Sequence, residues 1–125
     1  MQPAGTQIDV VHKAIARFIE LVIGPALKEP RGEPRVRALF VNWFEWSRAS
    51  ELPGGCLFIA AASELDDQPG PLRDLLLASQ KDWLGVIAQA ARVAIEEGHF
   101  RKDVDPEQFA WQTDSFILGY HHSAR

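Results

Sequence analysis

Three features that would each indicate a class of protein are scarce in this sequence: cysteine, long apolar runs and an excess of positive charge. Cysteine occurs once, at Cys56, so no disulfide can form within the chain. The longest strongly apolar stretch, CLFIAAA at 56–62, is far shorter than the ~20 residues of a membrane-spanning helix. The N-terminal MQPAGTQIDV also lacks the basic and apolar regions of a secretory signal. We therefore expect a cytoplasmic protein with no membrane span.

The third scarcity concerns charge. Lysine and arginine number 13 against 17 aspartate and glutamate residues, which gives a formal net charge of −4 and a sequence pI near 5.5. A phosphate backbone attracts basic proteins rather than acidic ones. We predict that this chain alone does not bind DNA.

The composition is otherwise that of a folded globular domain. Hydrophobic residues make up 46% and charged residues 24% of 125 positions, a length that fits one domain with a substantial core. Proline and glycine interrupt the chain at 24–25, 30–34, 53–55 and 69–71. Between these breaks the apolar residues recur at spacings of three and four, as in helices. The sequence therefore predicts one all-α domain of five helices.

The first three predicted helices lie before the break at 69–71. The first starts after Thr6 as its cap and stops at Gly24-Pro25, where proline blocks continuation. The second opens near Pro34, carries a wide aromatic face and leaves Asn42 to solvent. The third is a short helix over 56 to about 66, in which the small residues at 60–62 leave space beside neighbouring backbones.

The last two helices have clear end signals. The fourth runs from about 71 to 97 and stops at Gly98, which can take the left-handed conformation that follows a helix. The fifth starts at Asp105 as N-cap, with Pro106 in the first helical position. Both helices have more apolar surface than three other helices can cover.

A second copy of the chain would cover the apolar surface that remains on the fourth and fifth helices. In a two-fold dimer, each subunit would contribute its fourth and fifth helices to a four-helix interface, and close approach there would also explain Gly85 in mid-helix. The alternative is that all these residues belong to the internal core. The predicted interface residues are Leu77, Leu84, Ala88, Ala91, Ile95, Trp111, Ser115, Leu118 and His122.

Catalytic and metal-binding patterns are not evident. The sequence has no His-Glu-x-x-His motif, no paired cysteines and no Glu-x-x-His spacing. The consecutive His121 and His122 are about 100° apart on a helix, and the acidic cluster at 64–67 is interpreted as a solvated loop edge. We interpret His12 as a packed side chain, with pocket contact as the alternative, and His99 as an imidazolium at the negative end of the fourth helix. No metal, cofactor or enzymatic activity is expected.

Large aromatic residues are concentrated in the second, third and fourth helices. An aromatic stripe at helical spacing is usually core, yet rings packed opposite the small residues at 60–62 can leave a cavity that holds an apolar ligand. Arg48 would pair with an anionic ligand if it faced inward. The predicted ligand-binding residues are Phe40, Trp43, Phe44, Ser47, Phe58, Ala62 and Trp83.

Several segments resemble a known family. PGGCLFIAAASELDD from position 53, the end of the long helix in EEGHF, and DPEQFA at the start of the next helix are similar to the C-terminal domain of TetR-family transcription regulators. The resemblance covers about 70 residues from Pro53 onward, and the earlier helices fit the family only in pattern.

That resemblance implies a five-helix bundle of the TetR C-terminal domain type that forms a homodimer through its last two long helices. It also implies a small-molecule pocket in each subunit, whose effector changes the separation of two DNA-reading domains. Residues 1–125 would then be the effector-binding and dimerisation domain, and DNA would be bound only through an N-terminal helix-turn-helix that this sequence lacks. A dimerisation module without ligand and a small helical enzyme are the alternatives.

Overall fold

The computed structural model describes the backbone of residues 4–49 and 70–123, with side chains over 8–48 and 70–116. All regular elements in these ranges are helical, so the predicted all-α class is confirmed. They are α1 (Ala4–Phe18), a π-helical turn (Ile19–Ile23), α2 (Gly24–Leu27), α3 (Glu33–Ala49), α4 (Pro71–Glu96) and α5 (Pro106–Ser123). None of the described helices is long and apolar enough to cross a membrane. The predicted helix over 56–66 lies outside the described residues.

The first helical segment does not stop at Gly24-Pro25, so that prediction is wrong. It begins at Ala4, before the predicted cap Thr6, and continues through a π-helical turn into α2. In that turn the backbone N–H of Gly24 bonds to the carbonyl of Ile19, five residues back. The wider turn places Pro25 in the first turn of α2, where its missing N–H and fixed φ are tolerated. The π-helical turn therefore allows the helical segment to continue through a proline.

Asn42 is not left to solvent, contrary to the sequence prediction. Its side-chain amide Nδ2 donates to the backbone carbonyl of Val22, in the π-helical turn, at 3.1 Å. Carbonyls in an irregular turn do not all receive the helical partner that a regular ladder supplies, and a side-chain donor can replace it. Asn42 thus fastens α3 to the turn that follows α1.

The long hairpin of α4 and α5 has the predicted ends. After α4, Gly98 has φ +78°, Gly98 N–H bonds to Ile95 O at 3.0 Å, and His99 N–H bonds to Ala94 O at 2.9 Å. This is the two-bond pattern of a Schellman C-cap. At the start of α5, Asp105 Oδ1 accepts from the backbone N–H groups of Glu107 at 3.0 Å and Gln108 at 3.2 Å, which confirms Asp105 as the N-cap.

The core lies between α3, α4 and the segment formed by α1, the π-helical turn and α2. Val22, Leu39 and Ile87 have no exposed surface, and each comes from a different one of these three segments. Small residues on α4, among them Ala90 and Ala94, are buried beside them. Because small side chains let helix backbones approach, α4 can sit centrally and contact both the N-terminal segment and α5.

Two loops are fastened together at one end of the bundle. The backbone N–H of Glu33, at the start of α3, donates to Nδ1 of His99 at 3.0 Å, and Arg31 pairs with Glu96 at 3.1 Å. The left-handed Gly98 directs His99 to α3, where Nδ1 accepts from a backbone N–H at the helix N-terminus. The observed partner of His99 is therefore the start of α3 and not, as predicted, the carbonyl end of α4.

Gly32 makes this contact possible, and its substitution is the first testable prediction. Gly32 has φ +106°, and an added Cβ would lie 2.3 Å from His99 Nδ1. We expect Gly32→Ala to lower the free energy of unfolding by about 1–3 kcal/mol, because of backbone strain and displacement of the His99 ring. Urea unfolding followed by circular dichroism measures this loss. Gly85→Ala is the matched control: it lies in mid-α4 with open space around a Cβ, so it should gain about 0.5–1 kcal/mol. Equal effects of the two substitutions would contradict the prediction.

Candidate functional site

An aromatic cluster occupies the space between α1, α3 and α4; we define it as Phe18, Trp43, Phe44, Trp46 and Trp83. The ring of Phe18 meets Trp46 edge-on at a centroid distance of 5.6 Å and Trp83 edge-on at 5.2 Å. Trp43 and Phe44 make a third edge-to-face pair at 5.3 Å. Edge-to-face geometry is favourable for aromatic rings. Phe18 therefore links the α3 and α4 parts of the cluster to α1.

Trp46 contributes a buried polar atom to this cluster. Its indole Nε1 is shielded from solvent and has no hydrogen-bond partner among the described residues. A buried donor without an acceptor costs on the order of 1–3 kcal/mol, and such groups are rare in folded proteins. The cluster is thus apolar on its faces and offers one N–H that a ligand acceptor can satisfy.

Asp114 places a carboxyl group on the inner side of α5. It lies one turn after the buried Ala110 and is itself half-buried. Burial raises the pKa of the Asp114 carboxyl above its ordinary value of 3.8, and a hydrogen bond with the Trp83 side chain lowers it by a smaller amount. Trp83 therefore connects the aromatic cluster to the one described acidic side chain whose ionisation burial clearly disfavours.

The structure brings together most of the predicted ligand-binding residues that it describes. Trp43 and Trp83 are in the core, and Phe40 and Phe44 pack against it half-buried. Ser47 is part-buried, but its hydroxyl already donates to Phe44 O at 2.9 Å. Arg48 is exposed and does not face inward, contrary to the condition set for an anionic ligand. Phe58 and Ala62 lie outside the described residues.

Sequence reasoning left three members of this site out of the predicted set. They are Phe18, Trp46 and Asp114, none of which was predicted to bind a ligand. The place of Asp114 four residues after Ala110, and so on the same side of α5, was a usable signal. The missing information was which helix faces meet in three dimensions.

The raised pKa of Asp114 gives a pH-dependent prediction. The folded chain holds the Asp114 proton at pH values where the unfolded chain has already released it. This carboxyl therefore favours folding most below its ordinary pKa of 3.8, and that contribution is lost as the pH rises through the higher folded-state value. We expect Asp114→Asn to be more stable than wild type at pH 7 and to lose this advantage near pH 4. Urea titrations at both pH values test it. A pH-independent difference between Asp114→Asn and wild type would contradict the assignment.

A second functional surface was predicted on α4 and α5. Trp111 is 65% exposed and Leu77 is 47% exposed, and Ser115 is also exposed, one turn after Trp111 on the same side of α5. Leu84 and Ile95 are half-buried, whereas Ala88 and Ala91 are buried within the single chain. The side chains of Leu118 and His122 lie outside the described ones.

The surface around Trp111 is held by an ion pair between the two helices. Arg92 on α4 pairs with Glu107 on α5 and also donates to Gln89 Oε1 at 2.7 Å. Glu107 is one turn before Trp111, so the ion pair and the exposed indole lie on the same side of α5. Most of the Trp111 side chain is exposed in the single chain.

No group of three or more metal-ligating side chains occurs among the described residues. His12 is exposed on α1 rather than packed, because the helix turns it away from the buried Val11 and Phe18. The interpretation of His12 as a packed side chain is therefore wrong, and contact with a pocket stays a prediction.

The family model described as "Tetracyclin repressor-like, C-terminal domain" matches residues 32–125, about three quarters of the chain. The match contains α3, α4 and α5, and the α1 segment precedes it. No curated protein matches the chain.

Proposed function

Since the chain belongs to the tetracyclin repressor-like C-terminal domain family, we propose that it is the effector-binding and dimerisation domain of a cytoplasmic transcription regulator. In this proposal the domain binds a small molecule in each subunit and pairs with a second copy through α4 and α5. DNA would be bound by a helix-turn-helix domain outside these residues, consistent with the net charge of −4. The domain performs no catalysis.

The unpartnered Trp46 Nε1 carries the effector part of the proposal. A ligand beside the aromatic cluster would stack on or against its rings and accept one hydrogen bond from this N–H. The effector class that fits is a small, largely apolar aromatic molecule with one acceptor atom, such as a carbonyl or a heterocyclic nitrogen. Affinity would come from apolar contact, and orientation from the single polar contact.

Phe18 provides a route from this site to the N-terminal segment. Its ring contacts both Trp46 and Trp83, so a ligand that displaces either indole requires Phe18, and with it α1, to repack. An effector changes the conformation only if it binds two packings with different affinities. We propose that these packings differ in the position of α1 relative to α3 and α4.

Nuclear magnetic resonance of the indole N–H groups tests the effector site. The four tryptophans give four indole resonances: Trp43, Trp46 and Trp83 report on the cluster, and the exposed Trp111 is the internal control. The chain would be titrated with a panel of neutral bicyclic heteroaromatic compounds. We expect at least one compound to shift Trp46 and Trp83 saturably, with Trp111 much less affected. Shifts only at Trp111, or unsaturable shifts at all four, would contradict the site.

Trp46→Phe isolates the proposed hydrogen bond because it removes the N–H and retains an aromatic ring. We expect binding of the responding compound to weaken about 5-fold, the effect of one ordinary hydrogen bond. Trp111→Phe is the matched control and should leave affinity unchanged. Equal affinity of wild type and Trp46→Phe would remove Trp46 Nε1 from the site. A dimer that binds none of the panel would instead favour a dimerisation module without ligand.

A further inference from the structure

A groove on the outer side of the bundle is separate from the aromatic cluster. It has a volume of about 670 Å³ and lies between the end of α2, the start of α3 and the middle of α4. None of the cluster residues lines it. Its volume is within the range of small-molecule sites, roughly 300–1,000 Å³.

Small and apolar residues form the floor of this groove. They are Gly85, Val86, Ala90 and Val93 of α4, with Leu27 of α2 at the side. Leu27 is 51% exposed, and a Cβ added at Gly85 would meet nothing within 4 Å. Glycine in mid-helix costs about 1 kcal/mol relative to alanine. Here it leaves room beside an apolar surface that no other described residue covers.

Positive charge surrounds that floor. Arg31, Arg35 and Lys81 line the groove with one acidic residue, Asp82, although the whole chain is acidic. Arg31 pairs with Glu96 at 3.1 Å. Arg35 uses Nε to donate to the Glu29 carbonyl at 2.9 Å, and neither Arg35 nor Lys81 has an ion-pair partner among the described residues. Arg35 is a half-buried residue, and its guanidinium retains donors that can bind a carboxylate in a two-bond geometry.

We propose that this groove binds a small amphipathic carboxylate, with the anion on Arg35 and Lys81 and the apolar body over Gly85 and Ala90. The combination of free cations and an apolar floor fits such a molecule, whereas an uncharged apolar ligand would leave the cations unused. The site is independent of the effector site at the aromatic cluster and does not rest on it. An experiment can therefore disprove one of these two sites without disproving the other.

Octanoate is the probe for this proposal, with octan-1-ol and octylammonium as matched ligands that lack the anion. Amide resonances of Gly85 and Gln89 would report on the groove, and the Trp46 indole resonance on the cluster. We expect octanoate to shift Gly85 and Gln89 saturably, with at least 10-fold weaker binding of octanol. Equal binding of octanoate and octylammonium, or octanoate shifts confined to Trp46, would overturn the proposal.

Two substitutions test the floor and the charge separately. Gly85→Leu should fill the groove and weaken octanoate binding about 10-fold or more, without harm to the fold because leucine is a better helix former than glycine. Ala78→Leu, also exposed on α4 but outside the groove, is its control.

Lys81→Gln should weaken octanoate binding about threefold, whereas Lys102→Gln, with the same charge change on the loop after α4, should have no effect. Unchanged affinity in both Gly85→Leu and Lys81→Gln would refute the site.

Discussion

Trp111→Glu is expected to convert a dimer into a monomer. Trp111 is 65% exposed in the single chain and lies one turn after Glu107, whose ion pair with Arg92 joins α4 and α5. A tryptophan at the centre of an interface typically contributes about 2 kcal/mol or more, and a two-fold axis makes each substitution count twice. The dimer Kd should therefore rise roughly 1,000-fold. Sedimentation equilibrium over a range of chain concentrations measures it.

Phe116→Glu is the matched control for this substitution. Phe116 is 71% exposed, as much as Trp111, but five residues later on the helix, and so on a different side of α5. The same change from aromatic to acidic should leave the dimer Kd within a few-fold of wild type. If Phe116→Glu dissociates the dimer and Trp111→Glu does not, the interface uses the other side of α5.

Ile87→Ala should cause the largest loss of stability. Ile87 has no exposed surface and belongs to the core that also contains Val22, Leu39 and Trp43. Replacement of a buried isoleucine by alanine removes apolar contacts and leaves a cavity, at a cost of about 2–5 kcal/mol. A domain of this kind is stable by only about 5–15 kcal/mol in total. Urea unfolding should show a large decrease in the midpoint.

Ile87→Val serves as the graded control and should cost about 0.5–1.5 kcal/mol. Val41→Ala, at an exposed position on α3, should change stability by no more than about 0.5 kcal/mol. A loss below 1 kcal/mol for Ile87→Ala would mean that the core collapses around the site, or that Ile87 is not at its centre.

The helix ends that were predicted correctly depend on interactions between residues that are close together in the sequence. Gly98 and Asp105 end α4 and begin α5 because their own backbone conformation and side-chain oxygen satisfy helix-end groups. Such interactions span only a few residues, so the sequence contains all of the information. The bounds of α4 and the start of α5 were predicted for this reason.

Contacts between distant segments were not predictable in the same way. The π-helical turn that carries the chain past Pro25 has no sequence signature in the proline alone. Asn42 and His99 were assigned by their local surroundings, yet their hydrogen bonds reach residues 20 and 66 positions away. Each of these side chains bonds to a backbone group of a segment that is distant in the sequence.

The candidate site likewise has features that the sequence predicted and features that it did not predict. The burial of Trp43 and Trp83 followed from helical periodicity, because each lies on the apolar face of its helix. The role of Phe18 depends on α1 lying across α3 and α4, and the raised pKa of Asp114 depends on which side of α5 faces the core. Periodicity identifies a buried face but not the face that it meets.

The distance between α1 helices in the dimer tests the central claim, an effector-controlled dimer, most directly. Asp9 is exposed on α1, and replacement of the sole cysteine by Cys56→Ser would allow one spin label per subunit at Asp9→Cys. Pulsed electron paramagnetic resonance would then measure the Asp9-to-Asp9 distance with and without a compound that shifts the Trp46 indole resonance. We expect a defined intersubunit distance that changes when the compound binds. No intersubunit distance, or one that saturating compound leaves unchanged, would contradict it.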